Sequence, residues 1–240
     1  RASDAALIEG VAKLFDLGEA VKRIEVYDNS HIGGTDMVGA MVVAGPEGFM
    51  KNAYRKFNIR IADAADDYGM MREVMQRRFA KGLESESWPD LLLIDGGLGQ
   101  LNAVREMLAE LGIADDLTVV SIAKGPERNA GRERFFVPGK AEFQLPEHDP
   151  VLHYLQRLRD EAHRFAIGSH RGRREKRISA SAPDLVAGGG AKRKKTPLHH
   201  FGSAQDVARA GVADLEKVGG ISRAAAERIY SFFHEDGSHK

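Results

Sequence analysis

With 240 residues and 42% hydrophobic side chains, the chain is long enough for one large packed domain or two smaller ones. It has no cysteine, which excludes disulfides and thiolate zinc sites and agrees with an intracellular setting. The formal net charge is zero, yet residues 171–195 carry nine Lys or Arg against only Glu175 and Asp184, an excess suited to a phosphate backbone.

The chain starts at Arg1 without a methionine, as a fragment of a longer protein would. No signal-like stretch or apolar run of roughly 18 residues suggests a membrane. Leu7, Val11, Leu14, Phe15 and Leu17 share one side of a helix predicted over 5–21. Three strands are predicted next, 23–28, 37–43 and 54–59. Turns at Gly33-Gly34 and Gly45-Pro46-Glu47-Gly48 suit an antiparallel meander. Asp66 and Asp67 favour a helix N-terminus, and Tyr68, Met71, Val74, Met75 and Phe79 recur at helical spacing behind them.

Trp88-Pro89 turns the chain into an apolar strand, 90–95. A helix follows over 98–111, with Leu101, Val104, Leu108 and Leu111 on one face and Gly112 as its cap, and then a buried strand, 117–123. Phe135-Phe136-Val137 and Glu142-Phe143-Gln144-Leu145 flank Pro138-Gly139 as a small hairpin. Pro150 opens a long helix to Gly168 whose stripe is Leu152, Leu155, Leu158, Ala162, Phe165 and Ala166. These elements define an α/β domain over 1–170, a mixed five-stranded sheet with flanking helices, ahead of a charged, polar linker at 171–185.

Residues 186–240 make a smaller, helical unit. Its two Gly-rich turns, Ala187-Gly188-Gly189-Gly190 and Val218-Gly219-Gly220-Ile221-Ser222, form a weak internal duplication. A turn of this kind between short helices offers backbone N–H groups to a phosphate without reading bases. Gly188, Gly190, Gly219, Gly220 and Ser222, with the basic run Lys192, Arg193, Lys194 and Lys195, are the candidate DNA contacts.

Chemistry concentrates elsewhere. Asp28 closes the first strand and Asp95 closes the strand 90–95, the way an α/β sheet presents acids at one edge to a hard cation and a phosphate. Asp67 supplies a third carboxylate or a helix cap. His163 lies beside the stripe of the long helix and is suited to ligate a metal or move a proton near pH 7. Its neighbours Asp160, Glu161 and Arg164 suggest a solvated face, and His31 competes for the same role. Ser30, Asn58 and Lys124 are candidate phosphate partners. Gly96-Gly97-Leu98-Gly99-Gln100 has neither dinucleotide nor P-loop spacing, and no Gly-x-Ser-x-Gly elbow occurs.

Tyr27-Asp28-Asn29-Ser30-His31, Tyr54-Arg55-Lys56-Phe57-Asn58-Ile59, Asp66-Asp67-Tyr68, Leu93-Ile94-Asp95-Gly96-Gly97-Leu98-Gly99-Gln100 and Arg159-Asp160-Glu161-Ala162-His163-Arg164-Phe165-Ala166 stand in a familiar order. In these stretches the chain resembles the C-terminal half of the UvrC family, the incising component of the bacterial excinuclease ABC. The resemblance implies an RNase H-like endonuclease domain followed by a tandem helix-hairpin-helix domain that binds DNA.

It further implies a cytoplasmic, metal-dependent endodeoxyribonuclease of nucleotide excision repair, which hydrolyses a phosphodiester on the 5′ side of a lesion with an activated water. Asp28, Asp67, Asp95 and His163 match the family's catalytic group, with Asp28, Asp95 and His163 toward Mg²⁺ or Mn²⁺. The implied partners are damaged double-stranded DNA with an unpaired region or junction, and the helicase UvrB. The domain that cuts 3′ of the lesion and the segment that recruits UvrB belong upstream of this chain.

The family has an apolar residue where Asn29 stands and a lysine where Leu98 stands. Ala187-Gly188-Gly189-Gly190-Ala191 replaces its Pro-Gly-Ile/Val-Gly-Pro turn, and Pro197 interrupts the next helix pattern. These departures define a second reading, a structure-selective DNA-binding module with a disabled nuclease centre.

Overall fold

The computed structural model describes residues 3–18, 20–32, 36–60, 62, 66–80, 88–125, 131–168, 204–218 and 221–234. The predicted linker 171–185, the turn 187–191, Lys192, Arg193, Lys194, Lys195, Pro197, Gly219 and Gly220 lie outside them.

Ser3 caps helix α1 (Asp4–Leu14), accepting the Ala6 N–H at 3.3 Å. The helix ends short of the predicted residue 21 because Asp16 (φ 54°) and Gly18 (φ 68°) turn the backbone left-handed. Asp90 then takes the N–H groups of Lys22 and Arg23 at 2.8 and 3.0 Å, which fixes where the first strand enters the sheet.

The strands are β1 (Ile24–Ile32), β2 (Asp36–Gly45), β3 (Gly48–Phe49), β4 (Arg55–Asn58), β5 (Leu91–Asp95), β6 (Val119–Ala123) and β7 (Arg134–Phe136). Their order is β3-β2-β1-β5-β6-β7, with β4 also on β2. The β1–β2 and β6–β7 pairs are antiparallel, and β1–β5 and β5–β6 are parallel. Seven strands thus extend the expected five. β3 is a two-residue addition, and β7 joins the sheet edge while Phe135 bridges Phe143 as the predicted hairpin required.

The period of two in the strands divides the core into two faces. Ile24, Val26, Leu91, Leu93, Val120 and Ile122 pack with α1 and α4 (Pro150–Ile167). Tyr27, Val43, Leu92, Ile94 and Val119 pack with α2 (Asp67–Phe79) and α3 (Leu98–Glu110). On this second face the fully buried Glu25 accepts from Arg23 Nε, Arg78 Nε and Nη2, and the Tyr27 hydroxyl, a carboxylate neutralised inside the core.

Beyond the sheet, α5 (Ala204–Arg209), α6 (Val212–Glu216) and α7 (Arg223–His234) share a core of Val207, Leu215, Val218, Ile221, Ala226 and Tyr230. This bundle docks on α4. The Val212 N–H donates to Asp160 Oδ2 at 3.0 Å, and Arg157 Nη1 donates to the Arg209 carbonyl at 2.9 Å. The Tyr230 hydroxyl reaches Glu161 Oε2 at 3.2 Å. Asp160, Glu161 and Arg164, read from the sequence as a solvated face, are therefore buried, because the bundle covers them.

Candidate active site

Asp28 does not close its strand. β1 continues to Ile32 because β2 stays paired with it throughout, Asp28 standing opposite Ala40. What ends near Asp28 is its parallel neighbour. Tyr27 pairs with Ile94, so Asp28 and Asp95 follow at the next register position of two adjacent strands. Each continues the alternation of residues facing α4, Ile24-Val26-Asp28 and Leu91-Leu93-Asp95, so both carboxylates come to the same face.

α4 brings the third group. Asp149 caps it, accepting the Val151 N–H at 2.9 Å, with Pro150 in its first turn. Its buried stripe holds the helix on the sheet so that His163 Nδ1 lies 3.0 Å from Asp28 Oδ2. An ionised carboxylate only accepts, so Nδ1 carries the proton and Nε2 is left to other partners. Asp28 is 7% exposed, whereas the imidazole is largely open to solvent.

Burial, then the charge of Asp28, pushes Asp95 up to about 7, against the opposing charges of Arg159, His163 and Lys124. The hydrogen bond to Asp28 lifts His163 above the ordinary histidine value despite its partial burial. Two carboxylates that cannot comfortably both ionise form a seat for positive charge. Among the described residues no three His, Asp or Glu side chains converge as a ready cage. A small hard cation needs none, since one or two carboxylates and a substrate phosphate can complete its shell. The donor set fits such an ion.

Asp67 is exposed at the start of α2, behind its cap Asp66, and does not complete a cluster with Asp28 and Asp95. The His31 side chain is outside the described part, Ser30 is buried two residues after Asp28, and Lys124 is exposed past the end of β6. Ser222 caps α7, accepting the Ala225 N–H at 3.2 Å.

Sequence reading missed Arg159 and Glu133. Arg159, 4% exposed, stands one turn before His163 and donates from Nη2 to the buried Glu133 Oε1 at 3.4 Å. Glu133 also accepts from Gln156 Nε2 at 2.9 Å and from the Gly131 N–H at 3.0 Å. The i, i+4 spacing of Arg159 and His163 was the available signal. Glu133 gave none, because its partner is distant in the chain.

A mixed sheet with acids on adjacent central strands, flanked by helices, is an RNase H-like architecture. The chain belongs to the UvrC RNase H endonuclease domain family, whose model matches residues 12–167. UvrABC system protein C of Chelativorans sp. (strain BNC1) is 58% identical over 98% of this chain and 39% of its own length. The Hyphomonas neptunium protein of that name is 62% identical over 97% of the chain and 39% of its own. This chain thus spans about two fifths of the length of these curated relatives. Among solved structures, human ENDOV aligns at 23% identity and TM-score 0.29, covering 43% of this chain and 46% of that one. A Ciona intestinalis endonuclease V complex with inosine-containing DNA aligns at 16% and TM-score 0.31, covering 49% and 57%.

Proposed function

We propose that residues 1–170 are a divalent-metal-dependent endodeoxyribonuclease domain, joined through a basic linker, 171–185, to a tandem helix-hairpin-helix DNA-binding unit, 186–240. One observation carries the reading: Asp28 and Asp95 occupy consecutive register positions on adjacent strands, with His163 3.0 Å from Asp28.

In this reading Asp28 and Asp95 hold Mg²⁺ or Mn²⁺, with His163 Nε2 as a further ligand or a proton carrier. When bound, the ion neutralises the carboxylate pair and polarises the phosphodiester. A water oxygen bonds to phosphorus as the P–O3′ bond breaks. The water gives up one proton and O3′ gains one, leaving a 3′-hydroxyl and a 5′-phosphate. Asp28 orients His163 through Nδ1, which leaves Nε2 to carry that proton. Lys124, exposed beside the acids, meets the phosphate charge, and Asp67, which stands apart from the acid pair, would serve only a second or transient ion.

The relatives' name, UvrABC system protein C, supports a place in a UvrABC system with UvrB as partner; a cytoplasmic role in bacterial nucleotide excision repair, with the cut on the 5′ side of a lesion, is the reading that goes with it. Lys192, Arg193, Lys194 and Lys195, with Gly188, Gly190, Gly219, Gly220 and Ser222, are the proposed backbone contacts to DNA.

Cleavage of a DNA duplex with an unpaired stretch tests the reading. Asp28→Asn and Asp95→Asn are each expected to lose more than about 100-fold in rate and to keep salt-dependent binding. Normal cutting by Asp95→Asn would overturn the metal assignment, and binding without any metal-dependent cutting by the wild type would favour the binding-module alternative.

A further inference from the structure

Among the described residues three large apolar side chains are exposed: Met50, Tyr68 and Leu98. Two of them flank Gly99 at the start of α3, the helix that follows Asp95 at the end of β5. Leu98, 52% exposed, opens α3 three residues after Asp95, and Tyr68, 54% exposed, follows Asp67 in the first turn of α2. The two helices meet at Gly99, where an added Cβ would stand 2.1 Å from the Tyr68 hydroxyl oxygen and 2.4 Å from Cζ. The phenol ring thus lies across the start of α3, in space that only a glycine leaves open.

The helices are also joined away from these two side chains. Arg72 bridges them through Glu106 and Glu110, and Met71, Val74, Val104 and Leu108 bury their contact. We propose that Tyr68 and Leu98 form a stacking platform for an unpaired nucleobase next to the phosphodiester held at Asp28 and Asp95. This rests on the nuclease reading above and names how the same site selects its strand.

An aromatic face and a branched aliphatic edge accept any base by its π-face and read none of its hydrogen-bonding groups. A base inside a duplex has both faces covered, so only an unpaired one is available.

The test uses a duplex with an unpaired stretch, a matching fully paired duplex, and 2-aminopurine at the nucleotide flanking the cut. Tyr68→Ala is expected to raise KM on the unpaired substrate by about tenfold with little change in kcat, while Tyr68→Phe matches the wild type. Gly99→Ala is expected to copy Tyr68→Ala. Its methyl group displaces the free end of an exposed ring rather than the helix, and alanine favours α3 over glycine. The circular dichroism spectra of both variants should match the wild type, since Tyr68 contributes little buried surface.

In chelator, where no cutting occurs, binding should quench 2-aminopurine with wild type and Tyr68→Phe, and not with Tyr68→Ala or Gly99→Ala. Unchanged quenching and KM in those two variants, or equal losses on paired and unpaired DNA, would overturn the platform. The binding arm separates the two ideas: quenching that depends on Tyr68 in a protein that cuts nothing sinks the nuclease reading and keeps the platform.

Discussion

His163 Nδ1 lies 3.0 Å from Asp28 Oδ2, so the helix packed over the sheet and the sheet's central strand meet at one hydrogen bond beside Asp95. Without a metal this contact and the rise of Asp95 to about 7 are one arrangement: a pair of acids short of positive charge, partly supplied by an imidazolium.

That arrangement fixes the sign of the pH dependence. Asp95 releases its proton near 7 when folded and near about 3.9 when unfolded, so the metal-free fold loses stability as pH rises between those values. His163, raised above its ordinary value, adds a loss as pH climbs through its folded pKa. In chelator at pH 8, Asp95→Asn is therefore expected to melt at a higher temperature than the wild type. Saturating Mn²⁺ should reverse the order. A metal-free wild type at least as stable as Asp95→Asn at pH 8 would contradict the assigned charge balance.

Arg159 is part of that balance. Replacing it with Met leaves Glu133 buried without its guanidinium and removes a charge that holds Asp95 down. The expected cost is about 3 kcal/mol in urea unfolding at pH 7. Proton release on Mn²⁺ binding, followed by calorimetry in two buffers, should shift to higher pH. Loss of stability with no shift would make Arg159 a packing residue only.

The C-terminal bundle is held by polar contacts to α4, and Tyr230→Phe removes a hydroxyl that reaches both Glu161 Oε2 and the Arg157 carbonyl at 3.2 Å. About 1–3 kcal/mol of docking should be lost. Hydrogen exchange is expected to quicken in α5, α6 and α7 while β1 and β5 keep their protection. Equal quickening in the strands would mean that bundle and sheet unfold as one unit.

Much of the fold was legible because strand alternation and helix stripes repeat locally. The run ending at Asp95 and the stripe from Leu152 to Ala166 both form where expected, and His163 meets Asp28 beside Asp95, while Asp67 stands apart. What the sequence could not disclose was set by pairing between distant segments. Asp28 reads as a strand end, yet β2 carries the strand four residues further. Asp160 and Glu161 read as solvated because charged residues on a helix usually are, whereas their covering helices lie some 50 to 70 residues away. Glu133 follows a turn with no local pattern and owes its burial to Gln156 and Arg159.

The most direct measurement is incision of a 5′-labelled duplex carrying a lesion and a preformed unpaired region, with UvrB supplied and the upstream UvrB-recruiting segment restored, in Mg²⁺, Mn²⁺ and chelator. A single cut on the 5′ side of the lesion, present with either metal, absent in chelator and lost in Asp95→Asn, is the predicted result. Equal incision by Asp95→Asn, or incision that survives chelation, would contradict the account.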